Sequence, residues 1–421
     1  MPAPSAALGD AGLHRQLVFL AQLLEAVEET PTAGLWKYGP LSDGSRFDLV
    51  AGAGRLRFVA GGTEEERLGT QLERLYPEMA RLLPEALERA RAERRPLGEV
   101  LIESGGPRAE LAVRAALKAQ MVKRLLHLSA VAPPGAEPHF ETLKSTMDPR
   151  LTFGAFEAYL ACARALAPAP LDVAHRAATD IGPRARTSVV VLQNGDAGGR
   201  EAVLGAYGLA PQSFEGLEHA LVTLGGLLRA HGRPPGGDPL QLAAVGTPRH
   251  WRVGVVGPSC AALLDDVDDE TSVSLLARVL DRAPAPAEAG PLRSPTLGPG
   301  APPLAQTLEA AAADVPGCLA AGVVHLPTAE VESAFLAEEG SGLRLGRGAA
   351  VASELLSPAA PASSGELREA WALTGRGLFL ALPLHPSSEQ ALVLACRRAT
   401  NAGVALALGR QWRARVMDHA R

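Results

Sequence analysis

Leu304-Ala-Gln-Thr-Leu-Glu opens a stretch that runs to Arg421 and decides how the chain folds. The Ala-rich opening predicts a helix to Asp314, broken at Pro316-Gly317. Cys318-Leu-Ala-Ala-Gly-Val-Val-His-Leu326 is apolar and strand-like. A polar segment follows, and Leu345–Leu356 reads as a second helix. Glu366–Leu373, Gly377–Leu384 and Ala391–Arg397 are three further strand candidates, and Asn401-Ala402-Gly403 opens a last helix. The order is helix, strand, strand, helix, strand, strand, strand, helix. A five-stranded antiparallel sheet with helices on both faces buries that pattern, so the expected class is α+β.

Upstream, residues 283–303 hold Pro284, Pro286, Pro291, Pro295, Pro299, Pro302 and Pro303. Such a segment reads as an extended linker and bounds a C-terminal domain at 304–421. The first block, 1–132, begins with Leu13, Leu17, Leu20, Leu24 and Val27 at helical spacing. Gly34–Tyr38, Arg46–Ala51 and Arg55–Ala60 then read as a small β-meander turned at Gly52-Ala53-Gly54. Pro77 and Pro84 are expected to break or kink a charged helical region. Leu97–Glu103 and an amphipathic helix at Ala109–Leu128 close the block. The middle region, 139–282, offers a helix at Phe153–Leu166, strands at Ser188–Leu192 and Trp251–Val256, and a helix at Ser213–His231. It reads as a continuation of the N-terminal domain or a third α/β region. No solenoid-type repeat is evident.

The chain has 421 residues, of which 47% are apolar, enough for two or three packed domains. Aromatics are 4% and the net charge is -5, which argues against a nucleic-acid binder. The 4 cysteines are far apart, as in a reducing compartment. No run approaches the length of a membrane span and no signal-peptide layout is present, so a cytoplasmic location is expected.

Motifs for chemistry are sparse. Gly254-Val-Val-Gly257-Pro258-Ser259 comes nearest to a phosphate loop but lacks the Lys. Asp265-Asp266-Val267-Asp268-Asp269-Glu270 precedes a helix at Thr271 and reads as capping rather than cation binding. His325, inside an apolar strand, reads as a satisfied core or edge residue. Ser259-Cys260 has no base nearby, and no nucleophile elbow occurs. No catalytic, cofactor or metal residues are therefore assigned, and no enzyme activity is expected.

The C-terminal stretch resembles the roadblock/LC7 family, which includes the longin-related MglB-type bacterial proteins. Val315-Pro316-Gly317, Gly322-Val323-Val324, Leu378–Leu384, Leu392-Val393-Leu394 and Asn401–Ala405 carry the likeness. Pro327-Thr328-Ala329-Glu330 departs from the Gly-centred hairpin usual after that family's first strand. The first block resembles the DUF4388 (PATAN) family through Thr32–Leu35, Phe47-Asp48-Leu49, Gly54–Ala60 and Leu97–Gly105. That likeness implies a bacterial signalling or polarity accessory domain without catalytic residues.

Two surfaces follow. Arg397, Arg398, Arg410, Arg413 and Arg415 read as a solvated helix end, with partner contact as the alternative. The helix Leu345–Leu356 has small residues, Gly346, Gly348, Ala349, Ala350 and Ala352, that permit close approach by another element. The strand Glu366–Leu373 after it would be an open sheet edge in an isolated domain. The roadblock resemblance implies that this edge pairs across a two-fold axis in a homodimer, or a heterodimer with another roadblock protein. The alternative is that the middle region covers it within the chain. Expected partner-binding residues are Arg344, Leu345, Arg347, Ala350, Leu367, Glu369, Trp371 and Arg376. The resemblance further implies a regulator or scaffold for a small Ras-like GTPase in signalling, polarity or motility. An assembly adaptor with no GTPase partner is the alternative.

Overall fold

The computed structural model describes residues 10–61, 67–143, 149–193, 202–208, 213–229, 240–247, 249–280, 302–338, 340–356, 368–375, 377–386 and 388–420. It is a mixed α+β chain with two antiparallel sheets, in two compact units. The first unit takes 1–169 with 191–205 and 212–214; the second takes 170–190, 206–211 and 215–421.

In the first unit, α1 (Asp10–Glu29) buries Leu13, Leu17, Leu20, Leu24 and Val27, the stripe its helical spacing places on one face. Each fully buried Leu contributes about 1.5–3 kcal/mol. The meander is β1 (Gly34–Tyr38), β2 (Phe47–Gly52) and β3 (Arg55–Ala60). Gly52 pairs with Arg55, so Ala53-Gly54 form a two-residue turn, both with positive φ. β4 (His139–Thr142) and β5 (Phe153–Gly154) complete the order β4-β1-β2-β3-β5.

The helices of this unit are α2 (Leu68–Leu75), α3 (Leu83–Glu93), α4 (Leu97–Val131) and α5 (Ala155–Leu166). Pro84 lies in the first turn of α3, where its missing N–H costs nothing, and so starts the helix instead of breaking it. The two segments at Leu97–Glu103 and Ala109–Leu128 lie in two helical runs of α4, one on each side of the non-helical Gly106. Gly106, at φ 65°, kinks it just before Pro107. Leu72, Leu83, Val100, Leu101 and Val113 form the core among α2, α3 and α4.

The second unit corrects the expected five-stranded sheet. From Val173 the helices and strands are α6 (Val173–Ile181), β6 (Thr187–Leu192), β7 (Ala202–Gly208), α7 (Phe214–Arg229), β8 (Leu240–Gly246), β9 (Trp251–Val256), β10 (Cys260–Val267) and α8 (Asp269–Leu280), of which Val191, Leu192, Ala202–Gly205 and Phe214 group with the first unit. The same order then recurs: α9 (Pro303–Asp314), β11 (Cys318–His325), β12 (Glu330–Leu336), α10 (Ser341–Leu356), β13 (Glu369–Thr374), β14 (Gly377–Pro383), β15 (Gln390–Arg397) and α11 (Ala402–His419). All ten strands form one sheet, ordered β12-β11-β15-β14-β13-β8-β9-β10-β6-β7. The second half of that order mirrors the first. The chain thus repeats a fold order, and the C-terminal strands are one half of a larger sheet. Of the Pro-rich segment, only its last two residues are described: Pro302 and Pro303 start α9.

Residue alternation places the helices. Gly348 of α10 abuts Phe379 and Val393, whereas Gly409 of α11 abuts Leu382 and Leu394. Neighbouring residues of a strand point to opposite faces, so α10 and α11 cover opposite faces. In the other half, Gly254 of β9 faces Leu227 of α7, and Trp251 reaches Asp269 of α8 on the opposite face.

Candidate functional site

The expected interface helix, α10, splits its small residues between two tasks. Leu345, Gly348, Ala349 and Ala352 are buried. A Cβ on Gly348 would lie 2.9 Å from Phe379 and 3.1 Å from Val393. These residues let the helix sit close on its own sheet, where another element had been expected. Leu343, Gly346, Ala350 and Glu354 form the outward stripe, with Leu343 77% exposed. Arg344 and Arg347 flank that stripe, half-buried. Of the eight expected contact residues, α10 therefore presents Arg344, Arg347 and Ala350 at or near the surface. Leu345 points inward, its side chain against Gly322 of β11.

The expected open edge is closed. β13 pairs with β8 along Glu369↔Gly246, Ala370↔Val245, Trp371↔Ala244, Ala372↔Ala243 and Leu373↔Leu242. Every residue of β13 is buried. The dimer expected through this edge is therefore corrected: the unpaired N–H and C=O groups of β13 are satisfied by the middle region of the same chain. Trp371, 2% exposed, packs on Trp251 with ring centroids 6.2 Å apart. Leu367 and Arg376 lie outside the described residues.

Glu369 is the charged centre of this junction. Its side chain is fully buried and receives Arg410 at 2.7 Å and Arg413 at 3.0 Å, both from α11. Arg410 also binds Asp269, the first residue of α8, at 3.1 Å, and Asp269 accepts the Trp251 indole N–H at 2.9 Å. Burial works against the Arg410 charge, but its hydrogen bonds to Asp269 and Glu369 more than offset that and hold its pKa above the usual guanidinium range. Arg410 and Arg413 are thus not a solvated helix end; both pair with Glu369, and Arg410 also ties the two halves together through Asp269. Trp412 between them donates to Asp314 of α9 at 2.8 Å. Neither Asp269 nor Trp251 stood out as a partner in the sequence, because Arg410 and Asp269 lie 141 positions apart.

The phosphate-loop-like turn is filled from within. The Ser259 and Cys260 N–H groups, after Gly257-Pro258, donate to Asp172 Oδ2 at 2.9 and 2.7 Å. Asp172 Oδ1 accepts the N–H groups of Ala174 and His175, capping α6. One carboxylate thus occupies the place an anion would take and joins α6 to the β9–β10 turn. The acidic run at the end of β10 and the start of α8 is divided in the same way. Asp265 pairs with Arg252 at 2.9 Å, and Asp268 accepts the Thr271 N–H at 2.6 Å as the cap of α8. That hydrogen bond lowers the Asp268 pKa. His325 is held by Thr328 at 2.9 Å and Glu389 at 3.2 Å, at the strand end.

The outward stripe of α10, with Leu343, Gly346, Ala350 and Glu354, is exposed. No protein-family model matches the chain, and comparison with curated proteins and with solved structures gives no match either.

Proposed function

We propose that the second unit is a single-chain counterpart of a two-fold roadblock-type dimer, and that the protein acts by contact as a non-enzymatic regulator of a small Ras-like GTPase. The observation that carries this reading is the mirrored strand order meeting at β13 and β8. The resemblance at 304–421 implies an edge that pairs with a second domain of the same element order. The elements from α6 to α8 repeat that order, and β8 among them pairs with that edge, which supports the reading. The platform a dimer would build is then supplied by one chain, and partner binding falls to its helical face.

On that face Arg344 and Arg347, beside Leu343 and Ala350, are the residues assigned to the contact. A regulator of this kind shifts the GTPase between nucleotide states only through its differential affinity for them. A tenfold preference corresponds to about 1.4 kcal/mol. The test is recovery of Ras-like GTPases on the immobilised full-length chain, loaded with a GTP analogue or with GDP, alongside nucleotide release and hydrolysis rates. Nucleotide-sensitive recovery that Arg344→Ala and Arg347→Ala weaken together supports the reading. Recovery of partners regardless of nucleotide favours the assembly-adaptor reading. No change in binding, release or hydrolysis with any such GTPase rejects the GTPase role.

A further inference from the structure

Cys318 is the first residue of β11, and Cys396 lies one residue before the end of β15; the two are partners in register. The Arg397 N–H donates to the Gly317 carbonyl at 2.8 Å, flanking the pair. Cys318 and Cys396 therefore occupy a non-hydrogen-bonded site at the end of the β11–β15 ladder, next to a register shift between Cys318 and Ala320. There the Cα atoms approach to about 4.5 Å and the side chains share one face. That spacing falls inside the roughly 4.4–6.8 Å a disulfide spans. The Cys318 thiol donates to the Ala320 carbonyl at 3.2 Å.

We propose that Cys318 and Cys396 are an oxidisable pair that hydrogen peroxide closes into a cross-strand disulfide, stapling β11 to β15. The first step oxidises one thiol to a sulfenic acid while the peroxide O–O bond breaks and water leaves. The second thiol then attacks that sulfur, forming the S–S bond and releasing a second water. Two thiols lose two electrons and two protons, and the peroxide takes both. The register sets the two cysteines opposite one another, so the cross-link joins neighbours in the ladder.

The surroundings set the rate. The hydrogen bond to Cys318, and then burial, hold the Cys396 thiol well above its usual pKa range. The thiolate is the reactive form, so closure is slow at neutral pH and speeds up as the strand ends open. The pair sits directly after the exposed Pro316 and the Gly317 turn, where such opening is local. The other thiols, Cys162 on α5 and Cys260 on β10, are also buried and have no cysteine as a register partner, so they act as internal controls.

The test uses the full-length chain. It is exposed to hydrogen peroxide, unfolded in an alkylating agent, digested and mapped by mass spectrometry. The expected product is a Cys318–Cys396 linked peptide, with Cys162 and Cys260 alkylated and the link reversed by dithiothreitol. The oxidised protein should also show a higher urea midpoint than the reduced one. Cys396→Ser should abolish the link; because the wild-type map decides by itself, a variant that fails to fold does not weaken the test. Four alkylated cysteines after prolonged exposure, separate sulfinic or sulfonic acids at Cys318 and Cys396, or a link to Cys162 or Cys260 would each overturn the proposal.

Discussion

Arg410 on α11 holds the fully buried carboxylate of Glu369 on β13 at 2.7 Å, and the same guanidinium holds Asp269 on α8 at 3.1 Å. With Arg413, which also pairs with Glu369, four charges from both halves thus converge at the seam. Removing one member of a buried charged group leaves the others uncompensated. Glu369→Ala should therefore destabilise the second unit by about 3–5 kcal/mol, read from urea unfolding. The paired change Glu369→Leu with Arg410→Met should cost clearly less than the sum of the single changes, since contacting residues are coupled. A Glu369→Ala loss under 1 kcal/mol would show that the seam is held by β13–β8 pairing alone.

Asp172 accepts four backbone N–H groups, two in α6 and two in the β9–β10 turn. Removing the cap alone costs about 1–2 kcal/mol, and each N–H left unsatisfied in the turn adds about 1 kcal/mol or more. Asp172→Ala should lose about 3 kcal/mol in total on those grounds. Gly257 leaves room for the carboxylate, because a Cβ there would fall well inside its contact distance. Gly257→Ala should accordingly displace Asp172 and cost a similar amount, and the double variant should be little worse than either. Additive losses in that cycle would mean that the two positions act independently.

The first unit's meander and its opening helix were legible because each has one wet face, so apolar residues recur with a period that names the element. The C-terminal order was legible through Pro316-Gly317 and Asn401, which stop and start helices; the Asn401 side chain does accept the Val404 N–H. What stayed hidden was the other half of the sheet. Leu240–Gly246 was not read as a strand, and Cys260–Val267 was read for its acids, although both are strands. The central strands are covered on both faces, so their alternation vanishes. The partner of β13 was therefore not visible, and neither was the ion cluster, whose members are distant in sequence and meet only through the mirrored pairing.

Ala329 has φ 56° in the turn between β11 and β12, the conformation that glycine favours. Ala329 thus takes the left-handed conformation within Pro327-Thr328-Ala329-Glu330 without a glycine. An L-residue in that conformation carries about 1 kcal/mol of strain. Ala329→Gly should remove it and, after the extra freedom gained by the unfolded chain, leave a net stabilisation below 1 kcal/mol. A raised urea midpoint checks this. A lowered midpoint would show that unfolded-chain entropy outweighs the relief of strain.

His175 of α6 is 4% exposed, and its Nδ1 accepts the Leu171 N–H at 3.2 Å. That bond requires an unprotonated Nδ1. Burial lowers the His175 pKa, with the negative charge of Asp172 opposing. A histidine whose folded pKa lies below its unfolded value of about 6.5 binds fewer protons when folded. Its contribution is thus complete above pH ~6.5 and is lost as pH falls through the folded value. The urea midpoint of the wild type should drop between pH 7.5 and 5.5, and that of His175→Gln should drop less, because glutamine does not titrate and its side-chain oxygen can still accept a hydrogen bond. Parallel profiles for the two proteins would assign the acid sensitivity to other groups.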